Sequence, residues 1–228
     1  AYAVFTSGST GRPKGVLLSH AALLSSTAAR LSSYGMPERI PLIHSPAFDV
    51  WAGVLFWALL SGGTLLPGPP GDVPAAVALA REQQATHMAY PAALYPAFLD
   101  RAAGNPPRDL ECLMVGSEPW NDATVCRHAA ILPGADLYNE YGPAECCVWT
   151  SSGLVYDRRT GRRAPMTIGR PAPGTGYLLL GPDGTPVPAG AEGELHITGT
   201  NLALGYLHQP GLTAERFITL PDGRRAYR

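Results

Sequence analysis

Residues 6–15 read Thr-Ser-Gly-Ser-Thr-Gly-Arg-Pro-Lys-Gly, and the rest of the chain is best read outward from them. Six hydroxyl or glycine residues, Thr6, Ser7, Gly8, Ser9, Thr10 and Gly11, start where the short apolar strand-like run Tyr2–Thr6 ends. Glycine lets a backbone approach a ligand closely, and successive loop N–H groups form an anion-binding nest. The hydroxyls add donors and Lys14 adds a positive charge. That is the composition of a phosphate cradle. It is not a Walker A loop, because Pro13 precedes Lys14 and Gly15 follows it. No GxSxG nucleophile elbow occurs. A bare Gly/Ser loop is usually only a flexible surface loop. Here it ends on the one lysine among 17 basic residues, the other 16 being arginine. A compact ammonium and a planar guanidinium are not interchangeable, so that single lysine favours the phosphate reading.

Downstream of this loop, strand and helix signals alternate. Ser19 caps a helix to about Ser32, with Leu23, Leu24, Ala28 and Leu31 at helical spacing. Leu42–Ser45 reads as a strand. Asp49 is placed to cap an apolar helix that stops at Gly62-Gly63. Thr64–Leu66 reads as a strand, and Asp72 with Pro74 opens a helix to about Gln84. Strands follow at Thr86–Tyr90, Leu110–Val115 and Leu137–Tyr141, with helices at Ala92–Ala103 and Asp122–Ala130 between them. The rhythm predicts an α/β fold, a helix-covered and mainly parallel sheet, over residues 1–147. From Val148 onward the turn signals crowd together, and residues 148–228 read as an antiparallel, β-rich segment. Tyr177–Leu180 and Glu194–Thr198 are its clearest strands, and Pro182-Asp183-Gly184 reads as a hairpin turn.

Composition excludes several classes. Hydrophobic residues make up 46% and charged residues 15%, against roughly 25% charged in an average soluble domain, which argues against disorder and coiled coil. The 26 glycines and 23 prolines make the chain loop-rich. A net charge of −1 leaves no electrostatic footprint for nucleic acid or an anionic membrane. The longest apolar run, Val50–Leu60, has 11 residues, whereas a membrane span needs about 20. No basic n-region precedes an apolar stretch at the start, so no secretory signal is read. Cys112, Cys126, Cys146 and Cys147 form no CxxC pair and no HExxH occurs, which argues against zinc or a disulfide framework. A reducing, cytoplasmic setting is the expectation.

The loop and four later stretches together resemble the adenylate-forming superfamily, which comprises nonribosomal peptide synthetase adenylation domains, acyl- and aryl-CoA ligases and luciferases. TSGSTGRPKG matches its signature over nearly every position. Phe48-Asp49 resembles the substrate-binding FD motif, and Asn139–Glu145, NEYGPAE, resembles NxYGPTE. GELHITGTNLALGYL at 193–207 resembles GELxIxGxxLAxGYL, and Tyr227-Arg228 resembles the start of YRTGD. The motifs follow the family's order and cover essentially the whole chain. Asp49 and the GTNLALGYL run point within the superfamily to a peptide synthetase.

The resemblance implies ATP-dependent activation of an amino acid as an aminoacyl adenylate, with Mg²⁺ and later transfer to phosphopantetheine on a neighbouring carrier domain. The implied partners are the amino acid and the carrier and condensation domains of a parent synthetase. Thr6, Ser7, Gly8, Ser9, Thr10, Gly11 and Lys14 would hold the triphosphate, with Thr6 and Lys14 in catalytic positions. Tyr141 would stack on adenine beside Asn139 and Gly142, with Gly116, Ser117 and Glu118 on its other face. Glu145 would hold Mg²⁺. Ala144 stands where the family usually has threonine, which removes one hydroxyl from the α-phosphate. The substrate pocket would comprise Asp49, Val50, Gly53, Ala89, Met114, Gly116, Glu140, Val148 and Trp149. Asp49 would pair with the α-ammonium. Glu140 is the only further acid in that set, and a buried carboxylate needs a partner, so a basic or strongly hydrogen-bonding substrate side chain is expected. The family pattern continues as TGD after Tyr227-Arg228. The resemblance therefore places the hinge, the C-terminal lid and its catalytic lysine outside this chain, which alone is expected to be inactive. An acyl- or aryl-CoA ligase and a non-catalytic nucleotide-binding module are the alternatives. The presence of Asp49 argues against the first, and the loop together with Glu145 argues against the second.

Overall fold

The computed structural model describes residues 1–6 and 13–228; Ser7, Gly8, Ser9, Thr10, Gly11 and Arg12 lie outside the described residues. Strands β1 (Tyr2–Thr6) and β2 (Lys14–Leu18) pair antiparallel, and the register ends with Thr6 opposite Lys14. β2 has no counterpart in the sequence expectation, because five residues carry too little periodicity to announce a strand. Helix α1 (His20–Tyr34) follows at once, with Ser19 Oγ accepting from Ala22 N–H at 3.0 Å as the cap expectation requires.

The chain divides into two compact units. The first comprises Ala1–Ala29, Gly142–Thr150 and Pro171–Arg228, and the second Arg30–Tyr141 and Ser151–Arg170. Contacts thus divide the chain at places other than the change of texture at Val148, and α1 passes from the first unit into the second.

In the second unit β3 (Arg39–Leu42) and β4 (Thr64–Pro67) run parallel on either side of α2 (Asp49–Ser61). The expected strand at Leu42–Ser45 is displaced toward the N-terminus. The ladder from Arg39 opposite Thr64 to Leu42 opposite Pro67 selects the earlier residues, and buried Ile43 and His44 follow it. Asp49 is also not the helix cap. Phe48 occupies that position without a side-chain cap bond, and Asp49 begins the helix itself, where a carboxylate complements the positive end of the dipole. Gly62 closes the helix in the left-handed region at φ 71°. Helix α3 (Val73–Glu82) is capped by Asp72, which accepts from Ala75 N–H at 2.9 Å.

β5 (His87–Pro91) leads through a short turn at Ala92–Leu94 into α4 (Tyr95–Ala102), whose Pro96 suits a first turn. β6 (Cys112–Gly116), α5 (Asp122–Ile131) and β7 (Asp136–Tyr141) complete the alternation. β5, β6 and β7 are parallel, and β8 (Ser151–Asp157) returns antiparallel along β7. β9 (Arg162–Arg163) and β10 (Arg170–Pro171) flank β8, giving a sheet ordered β10-β8-β7-β6-β5 with β9 off that path. Register and alternation assign the faces. Met88, Leu113 and Leu137 lie level on one face, in the core with Tyr95, Phe98 and Leu99. Ala89, Met114 and Tyr138 lie level on the other. Both faces are buried, as parallel strands require.

In the first unit β11 (Thr175–Leu180), β12 (Glu194–Gly199), β14 (Phe217–Thr219) and β15 (Arg225–Tyr227) form an antiparallel sheet ordered β11-β12-β15-β14. β13 (Gly205–Tyr206) pairs with β2, and α6 (Pro210–Arg216) follows it. The expected hairpin turn is present: Gly184, at φ 76°, donates to Gly181 O at 2.9 Å.

Candidate functional site

In the first unit, the cross-strand pair Thr6 and Lys14 stands at the two ends of the Ser/Gly/Thr segment. Thr6 Oγ1 is buried and has no hydrogen-bond partner among the described residues. Lys14 Nζ donates to Glu145 Oε1 at 2.7 Å and to the Tyr206 hydroxyl at 3.2 Å, and sits 4.7 Å from the Tyr206 ring centroid. Tyr206 O–H also donates to Glu145 Oε1, at 2.7 Å. Burial works to raise the Glu145 carboxyl, but the Lys14 and Tyr206 bonds outweigh it and hold it below its ordinary value. Burial and the same bond raise the Tyr206 phenol, so it stays a donor. Tyr206 is not among the expected site residues. Its signal lies in the GYL motif, as an aromatic hydroxyl far in sequence from the charges it joins.

A strained turn delivers Glu145. It lies in a 3-10 turn, Ala144–Cys146, after which Cys147 and Val148 both adopt positive φ, 57° and 79°. A β-branched residue suffers a steric penalty there, and surrounding bonds must hold it. They do so from several sides. Ser26 Oγ donates to Cys147 O at 2.7 Å, Asn201 Nδ2 to Cys146 O at 3.0 Å, and Ala203 N–H to Glu145 O at 2.8 Å. Trp149 is fully buried and its indole N–H donates to Ser26 O. Gly142 is required, since a Cβ there would lie 2.3 Å from Trp149 Cα. Thus Gly142, Val148 and Trp149 all act in this turn.

In the second unit, Asp49 and Gly53 lie one turn apart on α2, with Val50 beside them. Ala89, Met114, Gly116 and Glu140 share one face of the sheet: a Cβ on Gly116 would lie 2.6 Å from Glu140 O and 3.3 Å from its Cβ. The sheet members of the expected set, Ala89, Met114, Gly116 and Glu140, thus lie together, and Asp49, Val50 and Gly53 follow one another along α2. The expectation for Glu140 loses its premise. Arg30 grips it with two prongs, Nη1 to Oε1 at 2.9 Å and Nη2 to Oε2 at 3.0 Å, so its partner comes from the chain itself. Sequence reasoning misses Arg30, although it falls on the buried stripe Leu23, Thr27, Arg30, Tyr34 of α1, where a charge implies a counter-ion.

Three of the residues expected at the nucleotide make bonds or bends of structural importance. Asn139 engages both ends of its amide internally, accepting from Trp120 Nε1 and donating to Thr167 O, each at 2.8 Å. These two bonds brace the sheet end. Glu118 accepts from Ala93 N–H at 3.0 Å, capping the turn after β5. Ser117 bends the chain after Gly116 at φ 83°. Tyr141, at the end of β7, keeps 36% of its surface exposed. Among the described residues no three metal-ligating side chains converge.

Comparison with known proteins decides the family. The model for AMP-binding enzymes matches residues 1–207. The chain belongs to the AMP-binding enzyme family. It is 34% identical to a plipastatin synthase polypeptide of Bacillus subtilis (strain 168), covering 100% of this chain and 9% of that protein. It is 37% identical to novobiocin biosynthesis protein H of Streptomyces niveus, covering 100% of this chain and 37% of that protein. Among solved structures, the nonribosomal peptide synthetase FmoA3 superposes with a TM-score of 0.90 at 25% identity, over 100% of this chain and 25% of its own. The Klebsiella oxytoca NpsA N-terminal subdomain in complex with 3-hydroxybenzoyl-AMSN superposes at 0.85 and 28% identity, over 100% of this chain and 59% of its own. This member of the AMP-binding family thus has the α/β fold of those adenylation structures and spans 9% and 37% of the two curated relatives.

Proposed function

We propose that the chain is the carboxylate-activating part of a nonribosomal peptide synthetase. A carboxylate oxygen of an α-amino acid bonds to the α-phosphorus of ATP while the bond to the β-bridging oxygen breaks. Its electron pair leaves with pyrophosphate, and the product is an aminoacyl adenylate. The observation that carries the reading is the Lys14–Glu145 pair, whose lysine closes the Thr/Ser/Gly stretch of sequence. Lys14 puts a cation where charge develops on the leaving oxygens, and buried Thr6 Oγ1 adds a donor. Tyr141, partly exposed at the end of β7, would stack on adenine. Asp49, at the positive end of α2, takes the α-ammonium.

The donor chemistry fits Mg²⁺. Glu145 is anionic at neutral pH and offers hard oxygen, and Mg²⁺ takes its remaining ligands from phosphates and water. When bound, the ion would neutralise triphosphate charge. The thiol of phosphopantetheine on a carrier domain, which receives the acyl group, and a condensation domain are assigned to other parts of the parent polypeptide. All four cysteines are free, and a cytoplasmic setting is part of the same proposal. Among the described residues no helix is long and apolar enough to cross a membrane.

The test is amino-acid-dependent exchange of pyrophosphate into ATP by the intact polypeptide that carries this chain. Exchange with an α-amino acid is expected. Exchange only with acids lacking an amine would move the assignment to a CoA ligase, and none with any acid would leave a binding module.

A further inference from the structure

One wall of the second unit carries its own counter-ion. Arg30 is 1% exposed and Glu140 11%. The guanidinium lies 5.9 Å from the Tyr34 ring centroid and 5.6 Å from that of Trp57, and both carboxylate oxygens of Glu140 accept from it. A planar fork matched to both oxygens and packed among aromatic faces is the arrangement that least readily opens. Its position is informative. Glu140 borders Gly116 on the sheet face shared with Ala89 and Met114. On α2, Asp49, Gly53 and Trp57 recur at four-residue spacing along one stripe, and Trp57 is the residue beside Arg30. The carboxylate that takes the ammonium and the residue that packs on Arg30 are thus about 12 Å apart along one helix face, at about 1.5 Å per residue.

We propose that Arg30 is a specificity-determining residue: by closing Glu140 into a neutral pair, it makes this wall select an amino acid with an uncharged side chain. The inference rests on the adenylating reading above. A basic side chain would find the charge of Glu140 already neutralised and meet the guanidinium as a like charge. His44 already registers that field. Its imidazole is pushed down to about 4, by burial first and by the charge of Arg30 second, so it stays neutral.

The test measures exchange by the intact polypeptide with leucine, glutamine, glutamate, ornithine and lysine, for the wild type, Arg30→Met and Glu140→Gln. The wild type is expected to favour an uncharged amino acid over ornithine and lysine by at least about ten-fold, the low end for a charge-assisted hydrogen bond. Arg30→Met frees the carboxylate, and the basic-to-neutral ratio should rise by about ten-fold or more. Glu140→Gln leaves the guanidinium uncompensated, and the glutamate-to-glutamine ratio should rise instead. If Arg30→Met does not fold, the Glu140→Gln ratio decides alone. A wild type that prefers ornithine or lysine overturns the inference and leaves the adenylating reading intact. So do variants in which all amino acids lose exchange in parallel, since that is what a purely structural pair would give. A wild type that exchanges with no acid at all overturns both.

Discussion

The two glutamate pairs of this molecule make opposite uses of the same chemistry. In the first unit Lys14 meets Glu145 through one oxygen and keeps 21% of its side chain exposed. In the second unit Arg30 meets Glu140 through both oxygens and is 1% exposed. A lysine is a flexible point charge that can exchange one anionic partner for another, whereas a buried guanidinium fork cannot leave without stranding a desolvated carboxylate. The comparison teaches that an acid on a binding wall is no evidence for a basic ligand until its internal partner is known.

The comparison breaks most visibly at Arg30. Arg30→Met leaves the buried Glu140 without its cation and should cost about 3–5 kcal/mol in urea denaturation, while Arg30→Met/Glu140→Leu should recover most of that loss. If the single and double variants are equally unstable, the pair is not the source of the cost.

Acid should act next, and on the same unit. His44 and His128 both titrate at about 4 when folded, against 6.5 ordinarily, with burial as the leading cause. His128 stays neutral with Nε2–H donating to Ala135 O and Nδ1 accepting from Tyr95 O–H. The unfolded chain binds these protons first, so stability is full above pH 6.5 and falls as pH drops toward about 4. Each site should contribute about 2–3 kcal/mol over that window. His44→Gln should roughly halve the slope in a pH series of denaturation curves, and an unchanged slope would show that His44 charges freely beside Arg30.

The less buried pair should respond less. Lys14→Gln should cost about 2 kcal/mol, because Glu145 loses its cation but keeps the Tyr206 bond. It should also abolish any rise in melting temperature that inorganic pyrophosphate gives the wild type. The smallest effect should come from the turn that carries Glu145. Val148→Gly relieves a positive φ and should gain about 1 kcal/mol in the same denaturation assay; a loss instead would mean that the valine side chain outweighs its backbone strain.

Much of this architecture is legible in the residues. Ser19, Asp72 and Gly62 act as caps where their types predict, and the β-α alternation to Tyr141 matches the parallel sheet. β2 and β8 are not legible, since short strands acquire identity from the partners they pair with. Asp49 has the residue type of a cap and is the first helical residue, a difference of one position that local propensity cannot resolve. The site divides along the same line. Glycines forced by close approach, such as Gly116 and Gly142, and the loop lysine are written locally. The partners of Glu145 and Glu140 lie far from them in sequence: Lys14 is 131 residues from the first and Arg30 is 110 from the second. Burial chooses such partners, and only tertiary structure reveals them.

Helix α1 passes through the division between the two units at residues 29 and 30, and Arg30 is the first residue beyond it. Moving the Arg30–Glu140 pair into a relative of this chain meets a choice set by that helix. A graft cut in the connection after Tyr34 avoids breaking a helix but leaves Arg30 behind, and Glu140 then inherits whatever the host carries at that position. A graft that takes both must begin upstream of α1 and bring along Ser26, whose hydroxyl steadies the Glu145 turn. The smallest portable cassette is therefore bounded by a helix start, and it is longer than the set of wall residues alone would suggest.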